Sequence, residues 1–324
     1  MTGATGLVGG AFAAHLIDTV PRCELLLPVR SGKSPIDRVY ASLRRFTAAP
    51  LEDRVRVCES LQPLERVTHV VHCAVDTSEH SRAVNVDGTL ALARATLASR
   101  QLERFLYVGS AWSCGRSGEV HEIDTPSESP LFPYLADKLL AERMLGSLEG
   151  LPLQIVRPSL VMGHTLLGCE PSASLFWVLR LIQKLAHLPW HRAQRLDVVP
   201  LDWLCEALAC LLFSRSTQGA LHLSAGTASA SWAQIEASLA HGRPWIAAPM
   251  DLDAWSSVAV AKVKGLSPMQ ATLLRCLRFF AGDTVFNNER MLASGVTPPP
   301  SVPSYLAACL RDDRSLMQQA RDDA

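Results

Sequence analysis

A glycine-rich run near the start of the chain constrains its fold more than any other feature. Residues 2–9 read TGATGLVG, so three glycines recur at intervals of three, and an apolar helical pattern follows at 10–18. Glycines at this spacing allow a tight turn, a close approach to a pyrophosphate and close packing of the next helix on a sheet. The N–H groups at the start of that helix would then face the phosphates. A Gly/Ala-rich start without a function is the alternative. The run favours a dinucleotide site, whose expected contacts are Gly3, Thr5, Gly6, Leu7, Val8 and Gly9.

The first half of the chain alternates apolar runs of strand length with helical patterns. The strand-like runs lie at 25–29, 55–58, 69–74, 105–109 and 153–156, and the helical patterns at 10–18, 84–99 and 135–148. Strict alternation of this kind predicts a parallel sheet with helices on both faces, which is an α/β, Rossmann-type, doubly wound fold. Such sheets bind their ligands at the carboxyl ends of the strands.

The second half of the chain predicts a smaller, mainly helical lobe. We expect an NAD(P)-binding domain over 1–163 and a substrate-binding lobe over 164–324, with strands near 196–199 and 220–223 returning to the first sheet. Helices are expected at 173–188, 203–213, 231–240 and 268–280, and a last helix after the proline-rich segment 297–303. The apolar face of 173–188 is expected to pack in the core, with an acyl channel or a membrane surface as alternatives.

Composition excludes several classes of protein. The 31 basic and 31 acidic residues cancel, so no basic surface for nucleic acid is expected, and 48% hydrophobic residues argue against disorder. The nine cysteines are odd in number and have no CxxC spacing, which predicts neither a metal site nor a disulfide framework and favours a reducing, cytoplasmic location. The longest apolar stretch is interrupted by Arg180 and Lys184, so no membrane span is expected. The N-terminus is Gly/Ala-rich and lacks a basic leader, so no secretory signal is expected.

The end of the second apolar run indicates which nucleotide is preferred. An NAD site usually has an acidic residue here for the ribose 2′-hydroxyl, whereas this chain has Arg30, with Ser31 and Lys33 beside it. A guanidinium matches a 2′-phosphate in charge and geometry. These three residues therefore favour NADP (NADPH) over NAD, and a solvated basic loop is the alternative.

A tyrosine, a lysine and a serine form the candidate catalytic set. Tyr134 and Lys138 are spaced i, i+4 and share one face of a helix, where the ammonium would lower the pKa of the tyrosine. Ser110 follows a buried strand and could hydrogen-bond the same substrate oxygen. A surface Tyr–Lys pair and an ordinary turn serine are the alternatives.

These motifs together resemble the extended short-chain dehydrogenase/reductase superfamily. The resemblance is carried by TGATGLVG, by HCA at 72–74, by NVDGT at 85–89, by Ser110 with Tyr134 and Lys138, and by RPS at 157–159. Within the superfamily, which includes NAD-dependent epimerases and dehydratases, VRPSLVMG at 156–163, LDVVPLD at 196–202 and FNN at 286–288 look most like the thioester-reductase and fatty-acyl-reductase branch. The resemblance implies that Tyr134 is the acid/base, that Lys138 holds the nicotinamide ribose and that Ser110 orients the substrate. It also implies further cofactor contacts at Ala74, Asn85, Pro158 and Ser159. The alternative that Asn85 is simply a helix-start residue stays open.

The sequence departs from the family pattern in two places. Relatives have a buried strand directly before the glycine run, and here Met1 stands in its place, so the first strand is apparently missing. A start assigned too late is the favoured explanation, with a fragment or a degenerate protein as alternatives. Relatives also often have Gly-Asp-Leu after the third strand, where this chain has Glu59, Ser60 and Leu61.

The expected activity is NADPH-dependent reduction of a carbonyl in an acyl thioester, aldehyde or ketone, with Tyr134 as the general acid. The alternatives are a sugar-nucleotide epimerase or dehydratase and, in another class, a non-catalytic dinucleotide sensor or scaffold. The expected partners are an apolar or acyl small molecule and possible delivery by an acyl carrier. A homodimer through the helices at 84–99 and 135–148 is expected by analogy only.

Overall fold

The computed structural model describes residues 1–30, 32, 34–59, 64–78, 81–115, 117–122, 130–169, 173–214, 219–239, 244–255, 257 and 277–310. The side chains of residues 173–175, 177 and 310 are outside this description. Ser31, Lys33, Ser60 and Leu61, which carry sequence-based predictions, also lie outside the described residues.

The nucleotide-binding half alternates strands and helices, which confirms the predicted α/β, Rossmann-type fold class. Its strands are β1 (Leu25–Pro28), β2 (Val55–Cys58), β3 (His69–His72), β4 (Arg104–Val108), β5 (Gly118–Val120), β6 (Leu153–Pro158) and β7 (Leu160–Val161). Its helices are α1 (Leu7–Thr19), α2 (Pro35–Leu43), α3 (Thr89–Thr96), which continues a π-helical turn at Ala83–Gly88, and α4 (Pro133–Gly146). All five residues of β4 are buried, as expected for a central strand covered on both faces.

The second half consists of short strands and helices. Its strands are β8 (His187–Leu188), β9 (Arg195–Leu196), β10 (Val198–Val199), β11 (Ala220–Leu223), β12 (Ala230–Ser231), β13 (Ile246–Ala247) and β14 (Thr284–Phe286). Its helices are α5 (Ala173–Leu185), α6 (Leu201–Leu212), α7 (Trp232–Leu239), α8 (Leu277–Phe280), α9 (Glu289–Ala293) and α10 (Val302–Leu310). Of the helix expected at 268–280, only the part from Leu277 lies within the described residues.

The parallel sheet is divided into two ladders. One ladder has the strand order β11-β6-β4-β3, and β1 pairs with β2 in the other. Thr2 lies between them: its N–H donates to the Val71 carbonyl at 2.9 Å, and it forms an isolated parallel bridge with His72. The Met1 amino group donates to the Leu26 carbonyl of β1 at 2.7 Å. The glycine run therefore begins between β3 and β1, at the carboxyl ends of both strands.

The segment expected to form one strand near 196–199 forms two. β9 pairs antiparallel with β12, whereas β10 pairs parallel with β7, so the chain changes its partner at Asp197. The prediction of one continuous strand at 196–199 is therefore wrong in detail. The break falls at Asp197, whose carboxylate accepts hydrogen bonds from the N–H groups of Ala225 and Gly226, beyond β11. β11 pairs with β6 over its whole length.

The cores on the two sides of the site differ in composition. The core between α1, α6 and the sheet is mainly aliphatic, with Phe12 and Trp203 as its buried aromatic residues. The other large core, which joins the second half to residues 111–135 of the first half, contains many more large aromatic side chains, among them Trp112, Trp232 and Phe286. Within the described residues, no helix combines the length and apolar character needed to cross a bilayer.

Candidate active site

The glycine run packs so closely that two of its positions exclude a side chain. Gly3 has φ +79°, and a Cβ there would lie 2.7 Å from the Ala74 nitrogen at the end of β3. A Cβ at Gly9 would overlap the carbonyl oxygen of Gly3, so α1 rests directly on the loop. Among the described residues no side chain caps α1, and no acidic residue lies in its first turn. The helix start therefore offers an uncompensated positive end to an anion.

Arg30 lies at the carboxyl end of β1, on the same edge of the sheet as the glycine run. Its side chain is exposed, and its carbonyl accepts a hydrogen bond of 2.8 Å from Nη2 of Arg38 in α2. Hydrogen bonds from Ser78 lower the pKa of Asp76, and the charge of Arg30 adds to that effect. The Arg30 guanidinium therefore acts electrostatically on the loop after β3 as well as on the space beside the glycine run.

Asn85 ties the loop after β3 to the helix that follows it. Its Oδ1 accepts the Asp76 N–H at 2.8 Å, and its Nδ2 donates to the Asp76 carbonyl at 2.7 Å. Asn85 is 2% exposed. Both polar ends of its amide are therefore used to shape the loop that begins at Ala74.

His72 is a site residue that spacing arguments did not single out. Its Nδ1 lies 2.7 Å from Thr2 Oγ1, and its Nε2 lies 2.8 Å from Thr89 Oγ1. Because the Thr89 hydroxyl donates to the Asn85 carbonyl, it accepts from Nε2–H, which leaves Nδ1 to accept from Thr2. Burial is the main cause that lowers the pKa of His72 to about 3, so the ring is neutral. Its two partners are 70 and 17 residues away along the chain, and no local pattern indicates them.

The Lys138 side chain lies where β4 ends, next to the candidate residue Ser110. Ser110 follows β4 with an extended backbone and precedes a 3₁₀ turn at Ala111–Ser113. The Lys138 Nζ donates to the Val108 carbonyl at 2.7 Å and to the Gly109 carbonyl at 3.4 Å. Tyr134 lies one turn earlier on α4, on the same face of the helix as Lys138. Burial lowers the pKa of Lys138 to about 8, against the raising effects of Cys73 and Glu142.

Aromatic side chains border the Tyr134 end of this arrangement. We call Trp112, Phe132, Phe279 and Phe286 the aromatic wall. Phe132 stacks on Tyr134 with ring centroids 6.1 Å apart, and Phe279 lies 5.0 Å from Phe132. Trp112 makes edge contacts with Phe279 at 5.1 Å and with Phe286 at 5.2 Å. The substrate side of the site is therefore apolar.

Two of the three segments that resembled the thioester-reductase branch, LDVVPLD at 196–202 and FNN at 286–288, meet after β11. The Asp197 carboxylate accepts the N–H groups of Ala225 and Gly226 at 2.9 and 3.2 Å, and Asn288 Nδ2 donates to the Ser224 carbonyl at 2.8 Å. Burial raises the pKa of Asp197 to about 6. Ser159, which follows Pro158 at the end of β6, donates its N–H to the Leu223 carbonyl at 3.1 Å. The two motifs thus hold one turn beside the expected cofactor contacts Pro158 and Ser159.

Comparisons with known proteins identify similar sequences and similar folds. An NAD-binding family model described as male sterility protein matches residues 57–208. The non-canonical nonribosomal peptide synthetase FrzA of Cladobotryum sp is 26% identical to this chain over an alignment of 308 residues. The match covers 83% of this chain and 28% of that protein. The chain thus spans little more than a quarter of the length of this curated relative.

Three solved structures show the same fold. The terminal R domain of the myxalamid PKS-NRPS biosynthetic pathway has a TM-score of 0.79 at 20% identity, over 98% of this chain and 90% of that one. The PhqB reductase domain from Penicillium fellutanum has a TM-score of 0.69 at 18% identity, over 96% and 92%. UDP-glucuronic acid 4-epimerase from Bacillus cereus, in complex with NAD, has a TM-score of 0.64 at 17% identity, over 95% and 93%.

The family match begins at β2 and extends to α6, so it includes Ser110, Tyr134 and Lys138, and the glycine run precedes it at the expected edge of the sheet. The chain is therefore similar, in its matched segment and in its fold, to the NAD(P)-binding extended short-chain dehydrogenase/reductases, and within them to the thioester-reductase-like branch.

Proposed function

We propose that this chain reduces a carbonyl group with NADPH and that Tyr134 is the general acid. The substrate class that we favour is an acyl thioester. The observation that carries the proposal is the position of Lys138, whose buried Nζ donates to the carbonyls of Val108 and Gly109 directly before Ser110. α4 carries Tyr134 one turn before Lys138, on the same face of the helix.

The residues at the carboxyl edge of the sheet fit a bound dinucleotide. The absence of side chains at Gly3 and Gly9 lets α1 and the end of β3 pack directly on the loop, and the start of α1 has the polarity that phosphates require. Arg30 would face the 2′-phosphate, with Ala74, Asn85, Pro158 and Ser159 around the remaining parts of the nucleotide. When bound, the reduced nicotinamide supplies the hydride that the carbonyl carbon accepts.

The residues of the chain supply the proton and the charge stabilisation. The Tyr134 hydroxyl donates its proton to the carbonyl oxygen, and the Ser110 hydroxyl donates a hydrogen bond to the same oxygen. The Lys138 ammonium would stabilise the phenolate that remains after this proton transfer. With a thioester, the adduct is a hemithioacetal. Its C–S bond then breaks as the carbonyl re-forms, the oxygen loses its proton and the sulfur leaves as a thiol, so an aldehyde and a thiol result.

Three findings support an acyl thioester as the substrate. The family model belongs to the thioester-reductase-like branch, and the curated relative is a nonribosomal peptide synthetase. Two of the structures that share the fold are reductase domains, one of them from a PKS-NRPS pathway. The aromatic wall beside Tyr134 suits an apolar acyl group, which an acyl carrier would deliver.

Nucleotide binding tests the cofactor part of the proposal. NADPH and NADH are titrated by fluorescence into the wild type, Arg30→Glu and the matched control Arg22→Glu. Arg22 precedes β1 and is also exposed, so the control makes the same charge change at the opposite end of this strand. We expect NADPH to bind about tenfold or more tightly than NADH, a preference that only Arg30→Glu removes. Equal affinities in the wild type would contradict the preference for NADPH.

Turnover tests the catalytic part. Oxidation of NADPH is followed with acyl-pantetheine thioesters, aldehydes and ketones, for the wild type, Tyr134→Phe and the control Tyr40→Phe in α2. Loss of the phenolic proton is expected to lower kcat by roughly 10²- to 10⁴-fold without weakening NADPH binding. A wild type that binds nucleotide but reduces none of these substrates supports the non-catalytic alternative, and full activity of Tyr134→Phe would exclude Tyr134 as the acid.

A further inference from the structure

A buried ion pair lies beneath the Ser110 turn. Arg157, near the end of β6, donates from Nε and Nη2 to the same oxygen, Oε2 of Glu142 in α4, at 2.9 and 2.7 Å. Its Nη1 donates to the Glu122 carbonyl at 3.0 Å. Arg157 is 7% exposed and Glu142 is 3% exposed. The pair therefore joins β6, α4 and the segment after β5 in the interior.

The two charged side chains contact both ends of the turn that carries Ser110. A Cβ at Gly109 would overlap Glu142 Oε1 and would lie 3.5 Å from Arg157 Cγ, so the pair packs directly against the residue before Ser110. Arg157 also hydrogen-bonds the thiol of Cys114, at the end of the same turn. Ser110 is thus held between two contact points of one ion pair.

The same carboxylate acts on Lys138. Glu142 follows Lys138 by one helical turn, and its charge raises the pKa of the lysine against the effect of burial. The other titratable groups that face the pair are Tyr107 from β4, Arg143 and Lys138 on α4, Cys114 from the Ser110 turn, and Glu122, Arg290 and His222 on the far side of Arg157.

Stability alone does not account for such a pair. Desolvation of two buried charges offsets most of their attraction, so well-packed apolar residues in their place are often neutral or stabilising. In addition, Glu142 Oε1 is buried and has no hydrogen-bond partner among the described residues, which is unfavourable. What the pair does provide is a fixed distance between α4, which carries Tyr134 and Lys138, and the turn that carries Ser110.

We propose that Glu142 and Arg157 are positioning residues of the reaction, which hold the Ser110 turn against α4 and so fix Ser110 relative to Lys138. The proposal rests on the proposed function for its kinetic consequences, and on the contacts of Gly109 and Cys114 for its structural ones. Neither side chain is assigned contact with substrate or nucleotide.

The kinetic test compares Glu142→Gln with the double variant Glu142→Met, Arg157→Met. The single change leaves a buried arginine without its charge partner and could unfold the chain, whereas the double change removes both charges and keeps the volume. We expect kcat to fall about 10- to 100-fold in both variants, with the KM for NADPH changed by less than about twofold. The alkaline limb of the pH profile of kcat should move to lower pH, because Lys138 loses the carboxylate that raises its pKa. A double variant that regains both thermal stability and wild-type kcat would overturn the proposal.

A chemical test is independent of any activity. Alkylation of Cys114 is followed by peptide mass spectrometry in the wild type and the two variants, with Cys205 in α6 as the control, because both thiols are 3% exposed. Loosening the Ser110 turn should speed modification of Cys114 by about tenfold or more and leave Cys205 unchanged. If the wild type reduces no carbonyl substrate, the proposed function fails. The alkylation rate of Cys114 then decides by itself whether the ion pair holds the Ser110 turn in place. An unchanged Cys114 rate in both variants would then refute the proposal.

Discussion

The two sides of the site are built from different parts of the polypeptide. On the nucleotide side, the glycine run at residues 2–9 is formed by backbone atoms, and its close approaches to Ala74 and within the loop depend on the absence of side chains. On the substrate side, the aromatic wall is formed by large side chains from two parts of the chain far apart in sequence, Trp112 and Phe132 in one and Phe279 and Phe286 in the other. A backbone site depends on conformation, whereas a wall of side chains depends on volume. An added side-chain atom should therefore disrupt the nucleotide side, whereas loss of side-chain volume should disrupt the aromatic wall.

The largest expected effect on stability is in the aromatic wall. Phe286 is fully buried in β14 and contacts both Trp112 and His222. Phe286→Ala should lower the free energy of unfolding by about 3–5 kcal/mol, because it leaves a cavity, while Phe286→Leu should cost less than about 1.5 kcal/mol. Chemical denaturation measures both, and NADPH affinity of the folded fraction should be unchanged. Equal losses in the two variants would show that the wall does not depend on volume.

On the nucleotide side, adding a single methyl group should be enough to lower both stability and nucleotide affinity. In Gly9→Ala the new Cβ would overlap the Gly3 carbonyl oxygen, so α1 or the loop must shift, at about 1–3 kcal/mol of stability. Nucleotide affinity should fall roughly tenfold or more, because the loop and the start of α1 no longer present their N–H groups together. The matched control is Gly146→Ala at the end of α4, where a Cβ would meet no described atom within 4 Å. If the two variants bind NADPH equally well, the close packing of the loop is not what forms the site.

The same difference explains what could be predicted from the sequence. The glycine run, the strands at 55–58 and 220–223, and the helix that carries Tyr134 and Lys138 are local patterns, because backbone conformation depends on residues close in the chain. The ion pair of Glu142 with Arg157 and the contacts of His72 link residues 15 to 70 positions apart. Polar contacts between such distant residues leave no period in the sequence, so only the folded chain reveals them. The change of strand partner at Asp197 escaped prediction for the same reason.

Each side of the site also contains one buried neutral histidine. We expect both histidines to lower the free energy of unfolding by similar amounts as the pH falls. Burial is the main cause that lowers the pKa of His72 on the nucleotide side and of His222 beside the aromatic wall, to about 3 in each case. Since both folded-state values lie below the unfolded value of about 6.5, the unfolded state binds more protons between these limits. Stability from each histidine is complete above pH 6.5 and falls with pH toward 3, by up to about 1.4 kcal/mol per pH unit.

Buried carboxyl groups oppose this trend, so the slope must be compared between variants. Burial raises the pKa of Asp197 to about 6, which makes the folded state the better proton acceptor between that value and the ordinary 3.8. The contribution of Asp197 cancels when wild type and His72→Gln are unfolded by denaturant at pH 7, 6 and 5. Between pH 6 and 5 the wild type should lose roughly 1 kcal/mol more than His72→Gln, and the same difference is expected for His222→Gln. Parallel pH dependences for wild type and His72→Gln would mean that burial does not hold this ring neutral. A difference confined to His222 would place the acid-sensitive element on the side of the aromatic wall alone.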